Sequence, residues 1–300
     1  MKLNDYELLY DLPAGEYDGA DIRGVRTVTV RAGASLEVMC HPLLIQWPAG
    51  AKREAKRRRT GEKQAIINAR NLERQIMRLA EGNFHHLVAV VLTGTYEYPS
   101  MDAIGMMNID DVWKKWQAQK LPEGVEDVRR DVRNMLGRIR RRMRAKGEDG
   151  RDLKWILRIE EDDKLDAFGL PTRYHIHMLI EAEGLSQSEI ADEWRFGFTR
   201  CDRFDLVHDG AARIARYITK NKRGGRWVSH SRNLKKPVER VSDRKVSRRR
   251  LQLVAEDVRR DGRLILEKLY PGYRVQGEIQ VCYSDYMPGA YIYCRMRRRD

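Results

Sequence analysis

Long apolar runs are absent from this chain. The longest uninterrupted one, Leu87 to Leu92, is strand-sized and far short of the ~18 residues that a membrane-spanning helix needs. No membrane partner is therefore expected. Cysteine is scarce. Cys40, Cys201, Cys282 and Cys294 are so scattered that no two have the close spacing of a zinc knuckle, and free thiols in a reducing compartment are expected. The stretch from Met1 to Tyr10 carries Asp5 and Glu7 and lacks the basic start and apolar segment of a secretion signal. The cytoplasm is the expected location. Internal repeats and low-complexity linkers are missing too. So is a Gly-x-x-x-x-Gly-Lys phosphate loop, which argues against a fused helicase.

Acidic residues are in deficit. Against 44 Asp and Glu stand 58 Lys and Arg, for a formal net charge of +14. An excess of that size calls for a polyanionic partner, with nucleic acid as the first candidate. Hydrophobic residues make up 42% of the 300 positions, enough for a packed core in one large domain or one domain with additions.

Residues 25–30 alternate apolar and polar side chains, Ala32-Gly33-Ala34 makes a turn, and residues 36–44 resume the alternation, which predicts a β hairpin. Residues 51–82 predict a long helix that opens on a basic run, residues 52–59, and becomes amphipathic through Ile66, Ile67, Leu72, Ile76 and Leu79. The basic run is either a solvated face or a phosphate contact. Residues 87–96 predict a central strand, and helices follow over 109–119 and 125–146. Strands are predicted over 153–159, 173–181 and 198–207. A Gly-Leu-Pro turn lies at 169–171. Ser186 with Glu189 forms a capping-box pattern, and a helix covers 208–221. The remainder predicts a basic helix over 243–261 and strands over 273–283 and 290–296. The fold class is α+β, a central antiparallel sheet with helices on one face. The expected division is an extension at 1–83, a core at 84–237 and a basic C-terminal block at 238–300.

The sharpest local feature is Tyr174-His175-Ile176-His177-Met178. On a strand the two histidines project from one face and Ile176 and Met178 from the other. Glu160 and Glu161 close the preceding strand, and a hairpin brings one of them beside the histidines. A His-His-Glu set with open positions suits Mg²⁺ or Mn²⁺. Further on, Arg213, Tyr217 and Lys220 share one helical face at i, i+4 and i+7. Tyr217 reads either as an amphipathic tyrosine at the edge of a core or as a nucleophile whose cationic neighbours stabilise phenolate.

An acidic strand end, a His-apolar-His strand and a Tyr-x-x-Lys helix, in that order, resemble the HUH endonucleases, specifically the single-tyrosine rolling-circle replication initiators of phages and plasmids. Leu92-Thr93-Gly94-Thr95-Tyr96 is similar to the family's first motif and Tyr217-Ile218-Thr219-Lys220 to its third. Ser231 to Pro237 is similar to a segment that follows the catalytic helix in such proteins. The resemblance covers about 84–237. It implies a bacterial host cell, an HUH or RRM-like sheet, and nicking of single-stranded or extruded origin DNA. His175, His177 and Glu160 or Glu161 would hold Mg²⁺ or Mn²⁺. Tyr217 would be the nucleophile, aided by Lys220, and would leave a 5′-phosphotyrosine and a 3′-hydroxyl. Arg173, Arg213, Arg216, Lys222, Arg232, Lys235 and Lys236 would contact DNA, with basic clusters at 52–59, 138–146, 244–250 and 295–299 supplying a groove. Partners would be origin DNA and a host helicase and polymerase. Arg213 stands where some relatives carry a second tyrosine, so a second cleavage would need another subunit, a water or the freed 3′-hydroxyl. The alternatives are an HUH relaxase or transposase, and a non-catalytic nucleic-acid-binding protein.

Overall fold

The computed structural model describes residues 22–44, 62–85, 88–96, 122, 124–161, 174–204, 215, 228–284 and 287–299. The chain divides into two compact units, one of residues 68–235 and one of residues 1–67 with 236–300. Both sheets are antiparallel and the class is α+β, as the sequence predicts.

In the unit of residues 68–235, five strands form one sheet: β3 (Val90–Thr95), β4 (Lys154–Glu161), β5 (Tyr174–Glu181), β6 (Thr199–Arg203) and β7 (Val228–His230), in the order β6-β3-β5-β4-β7. The central β5 carries Ile176, Met178 and Ile180 on one face. Val90 and Leu92 of β3 and Leu157 and Ile159 of β4 join them there. Helix α2 (Val125–Ala145) covers this face with Val128, Val132, Met135, Leu136, Ile139 and Met143, a stripe at the 3.6-residue period. Glu126 and Asp127 in its first turn suit the positive end of the helix dipole. The Tyr96 hydroxyl donates to Asp131 at 2.9 Å and ties the end of β3 to this helix. The short helix α3 (Gln187–Ala191) starts at Ser186 with the expected capping box.

The opposite face is covered too, which departs from the expected single helical layer. Ile156 and Leu179 alternate onto it, and helix α1 (Glu62–Asn83) brings Ile76, Met77, Leu79 and Ala80 against them. An apolar patch on a central strand needs cover, whichever face it occupies.

Gly94 interrupts β3 for a steric reason. A Cβ there would lie 3.0 Å from both the Ile176 side chain and the Trp194 ring. The buried indole of Trp194 lies against this strand and donates to the Thr95 carbonyl at 2.9 Å. Gly94→Val is expected to cost about 1–3 kcal/mol by overpacking, read as a lowered urea midpoint with an unchanged slope.

The other unit is also built on one sheet: β1 (Ile22–Ala32), β2 (Ser35–Leu44), β8 (Val238–Ser242), β9 (Tyr273–Ser284) and β10 (Met287–Arg298), in the order β8-β1-β2-β10-β9. The β1–β2 turn falls at the predicted place, with Gly33 at φ 58°. Val25, Val38, Cys40, Ile292 and Cys294 form its core with Leu251 and Val254 of helix α4 (Arg248–Glu256) and Leu266 of helix α5 (Asp261–Leu269).

Of the single basic helix expected over 243–261, only 248–256 is helical as α4, and α5 starts at Asp261 as a second helix that was not expected. The Ser247 side chain caps α4 by accepting from the Arg250 amide. The Asp257 carboxylate then accepts the Arg259 and Arg260 amides at 3.1 and 3.0 Å. That local bonding competes with helix continuation. Strands β7 and β8 are additions that the sequence pattern does not predict. The expected helix over 109–119, the turn over 169–171 and residues 51–61 lie outside the described residues.

All four cysteines are free thiols. Burial pushes Cys40 and Cys294 up to about 12 and Cys201 up to about 11, so all three stay protonated at pH 8. Exposed Cys282 is expected to be the thiol that iodoacetamide labels in the native protein, with the other three reacting after denaturation.

Candidate active site

The three inner strands place a polar cluster on the face that α1 covers in part. Antiparallel register sets Thr93 and Arg158 on either side of His177, and Thr95 and Glu160 on either side of His175. Directly opposed residues share a face. Along this face the apolar layer of Ile156 and Leu179 gives way to Arg158 and His177, then to Glu160 and His175. The strand-pair register puts only one of the two acids on the histidine face: Glu160 stands opposite His175, whereas Glu161 stands opposite Tyr174.

His177 is the pivot. Its Nδ1 lies 3.2 Å from Thr93 Oγ1 and its Nε2 lies 3.1 Å from Glu160 Oε2. Only 5% of His177 is exposed. Burial raises the Glu160 carboxyl, but the hydrogen bond and charge of His177, then Arg158 and His175, outweigh it and hold the acid below its ordinary range. Glu160 is thus carboxylate at neutral pH. Arg158, 2% exposed, sits beside it and is pulled below the usual guanidinium range, first by burial and against the charge of Glu160. Sequence reading missed Arg158. Its signal was a single charge in the middle of the apolar run Trp155-Ile-Leu-Arg-Ile159.

The pair fits a divalent cation as two of its ligands. Glu160 Oε1 is buried and has no hydrogen-bond partner among the described residues, an acceptor that a cation would satisfy. Neighbouring ligands on an octahedral ion with ~2.1 Å bonds stand about 3.0 Å apart, close to the Nε2–Oε2 separation. The Thr93 hydroxyl rotates, so it can donate to Nδ1 or accept from it. Acceptance from Nδ1–H leaves the Nε2 lone pair free for a metal, the usual second contact of a ligating histidine. Among the described residues no group of three or more His, Cys, Asp or Glu stands at metal-holding distance. His177 and Glu160 are brought together, and His175 acts on Glu160 through its charge without closing such a group. Thr93→Val is expected to weaken Mn²⁺ binding about 10–100-fold, read by electron paramagnetic resonance of free Mn²⁺.

Of the other expected site residues, Tyr217, Lys220, Arg213, Arg216, Arg173 and Lys222 lie outside the described residues. So does most of the helix expected over 208–221. Its Ala215 is helical and fully buried in the core on the His177 face.

Arg232, Lys235 and Lys236 are exposed between β7 and β8. The segment that holds them has its own structural bonds. Ser231 exchanges hydrogen bonds with the Trp155 backbone. Asn233 donates to the Arg151 and Leu153 carbonyls, and the Lys235 backbone is clamped by Asn83.

The basic cluster of 138–146 is partly engaged in the fold. Arg138 and Arg142 bind the buried Glu193 carboxylate at 3.0 and 3.2 Å, and Lys146 binds Glu189 at 2.7 Å. These three recur at i, i+4 and i+8 along α2 and its C-terminal cap residue, the spacing of one helical face. Exposed Arg141 and Arg144 and half-buried Arg140 are the remaining arginines of the cluster.

Residues 117–222 match a family model of replication-associated proteins, described under the name ORF2. That stretch contains α2, β4, β5, β6, the His177–Glu160 pair and the segment from Arg213 to Lys222. The match supports a replication-initiator family and a role in DNA replication. No curated protein and no solved structure matches the chain. Among the described residues no helix is long and apolar enough to cross a membrane.

Proposed function

We propose that this chain is a replication initiator of the single-tyrosine HUH type, which nicks single-stranded or extruded origin DNA and stays joined to the 5′ end. The observation that carries this reading is the His177–Glu160 pair inside the stretch that matches a replication-associated family, with Thr93 of β3 on the other ring nitrogen of His177.

His177 and Glu160 would hold Mg²⁺ or Mn²⁺, with His175 as the expected third ligand. Bound there, the ion supplies Lewis-acid stabilisation to the phosphate oxygens. Arg158 keeps charge balanced behind Glu160, and Thr93 fixes the His177 ring. The Tyr217 oxygen attacks phosphorus. The Tyr217 hydroxyl gives up its proton and the P–O3′ bond breaks as the P–OTyr bond forms, while the leaving oxygen takes up a proton, for no net change, to become the 3′-hydroxyl that primes a host polymerase. Lys220 steadies the phosphate charge. Because one phosphodiester replaces another ester of phosphate, rejoining needs no ATP. Unwinding falls to a host helicase. With Arg213 in place of a second tyrosine, the freed 3′-hydroxyl, a water or another subunit completes the cycle. Arg173, Arg213, Arg216, Lys222, Arg232, Lys235 and Lys236 would hold the DNA strand.

The test is a denaturing gel of the protein with single-stranded oligonucleotides that span its candidate origin, with Mn²⁺ or with a chelator. A shifted protein–DNA band that requires the metal is the expected result. Tight binding with no such band over the whole origin would reduce the protein to a non-catalytic nucleic-acid binder.

A further inference from the structure

The unit of residues 1–67 and 236–300 has a recess of its own, lined at the β1–β8 edge of its sheet and at the C-terminal end of α5. Its volume is about 350 Å³, and Arg31, Arg240, Ser242, Lys245, Tyr270 and Tyr273 are among its lining residues. No Asp or Glu lines it. Strand register explains how the cations converge. Arg240 stands opposite Thr29 and Arg31 opposite Val238, which makes the two arginines diagonal neighbours on one face, a separation of about 7–8 Å that is somewhat less between Cβ atoms. Ser242 stands opposite Thr27, so two hydroxyls continue the same row. Lys245 completes the cationic rim, its Nζ 5.3 Å from the centre of the Tyr270 ring. Arg31, Arg240 and Lys245 are exposed, and none of the ion pairs among the described residues engages them.

The Tyr270 ring is fixed in the wall. Its hydroxyl is buried with no hydrogen-bond partner among the described residues, and that burial, together with the Cys40 and Cys294 thiols, raises its pKa. The hydroxyl therefore faces the core, and the ring is left as the surface it offers. Tyr273 begins β9 beside it, joined by an amide donated to the Tyr270 carbonyl at 3.1 Å.

We propose that this recess binds a segment of single-stranded DNA, with successive phosphates on Arg31 and Arg240 and a base against the tyrosine wall. The choice of polymer rests on the DNA-nicking reading above; the choice of place does not. Cations spaced along a row select a repeating anion. Hydroxyls beside them donate to phosphate oxygens, and aromatic rings take the flat apolar face that every base provides. An acidic peptide would leave the tyrosines unused. An anionic membrane surface needs a protruding patch, and this site is concave.

The experiment uses the full chain, fluorescein-labelled oligothymidine and a chelator, so that binding is read without any nicking. Arg31→Glu with Arg240→Glu is expected to weaken binding at least about tenfold and to lower the slope of log K against log salt by about 1.4, the share of two phosphate contacts on a single strand. Arg31→Lys with Arg240→Lys is expected to retain most of the affinity. Arg31→Gln with Arg240→Gln, which removes charge without reversing it, is expected to melt like the wild type and bind between the two. Unchanged oligothymidine affinity and slope in the charge-reversal pair would overturn the assignment, and so would a loss confined to a duplex probe. A metal-dependent adduct that never forms, alongside this binding loss, sinks the nicking reading and leaves the recess standing.

Discussion

Tyr217→Phe is expected to lower covalent adduct formation by about 10⁴-fold or more, the scale on which removal of a catalytic nucleophile acts, while DNA affinity stays within about twofold. The change deletes one oxygen, and the ring remains. A tyrosine at its ordinary pKa near ~10 is a weak nucleophile at neutral pH, so the reaction depends on charge supplied around the phosphate. Glu160→Gln is the matching change on the other side of the reaction. It keeps the shape and a hydrogen bond to His177 and removes the negative charge. Adduct formation is expected to fall together with Mn²⁺ binding. The two variants separate the roles: Tyr217→Phe keeps the metal affinity of the wild type, and Glu160→Gln loses it. An adduct that persists in Tyr217→Phe removes Tyr217 from the mechanism. Loss of the adduct in Glu160→Gln with Mn²⁺ affinity intact removes the carboxylate from the metal.

Glu193→Ala is expected to destabilise the unit of residues 68–235 by about 3 kcal/mol. Glu193 is 3% exposed, accepts from Arg138 at 3.0 Å, and forms ion pairs with Arg142 at 3.2 Å and Arg195 at 3.9 Å. Removing one partner of a buried ion pair costs about 3–5 kcal/mol because the remaining charge is stranded. The lower end applies here, because Arg142 is partly exposed and regains water. Glu193→Gln retains the acceptor and is expected to lose about half as much. Exposed Arg141→Ala should stay within about 0.5 kcal/mol. Urea unfolding followed by circular dichroism reads all three. If Glu193→Ala unfolds at the wild-type midpoint, Arg138 and Arg142 are free for DNA, as the basic cluster of 138–146 suggested from sequence.

Those arginines show where sequence reading stops. Six cations between 138 and 146 look like one basic face. The helix expected over 125–146 carries no information on which acid lies across from which arginine. Glu193 is fifty residues away, and only the docking of α3 and its following turn against the helix brings it there. Arg158 is a similar case. A buried arginine reads as a break in an apolar strand until the partner strand sets His177 opposite it.

Residue alternation and local capping chemistry settled much of this protein without tertiary information. Period-two patterning placed β1 and β2, and strands were expected from sequence where β4, β5, β9 and β10 lie. The 3.6-residue stripe placed α1, whose described part ends at Asn83 beside the expected end at residue 82. Ser186 with Glu189 placed the start of α3, and alternation alone put His175 and His177 on one face. Each is a property of a few consecutive side chains. Tertiary structure decided the rest. It paired β1 with β8 and β2 with β10 across some two hundred residues of sequence, because an exposed strand edge accepts whichever partner the core brings to it. It set Glu160 rather than Glu161 on the histidine face through register, where a shift of one residue exchanges the faces. It set Thr93 against His177 and gathered Arg31, Arg240 and Lys245 around one recess, since distance between side chains far apart in sequence is fixed by packing and by nothing local.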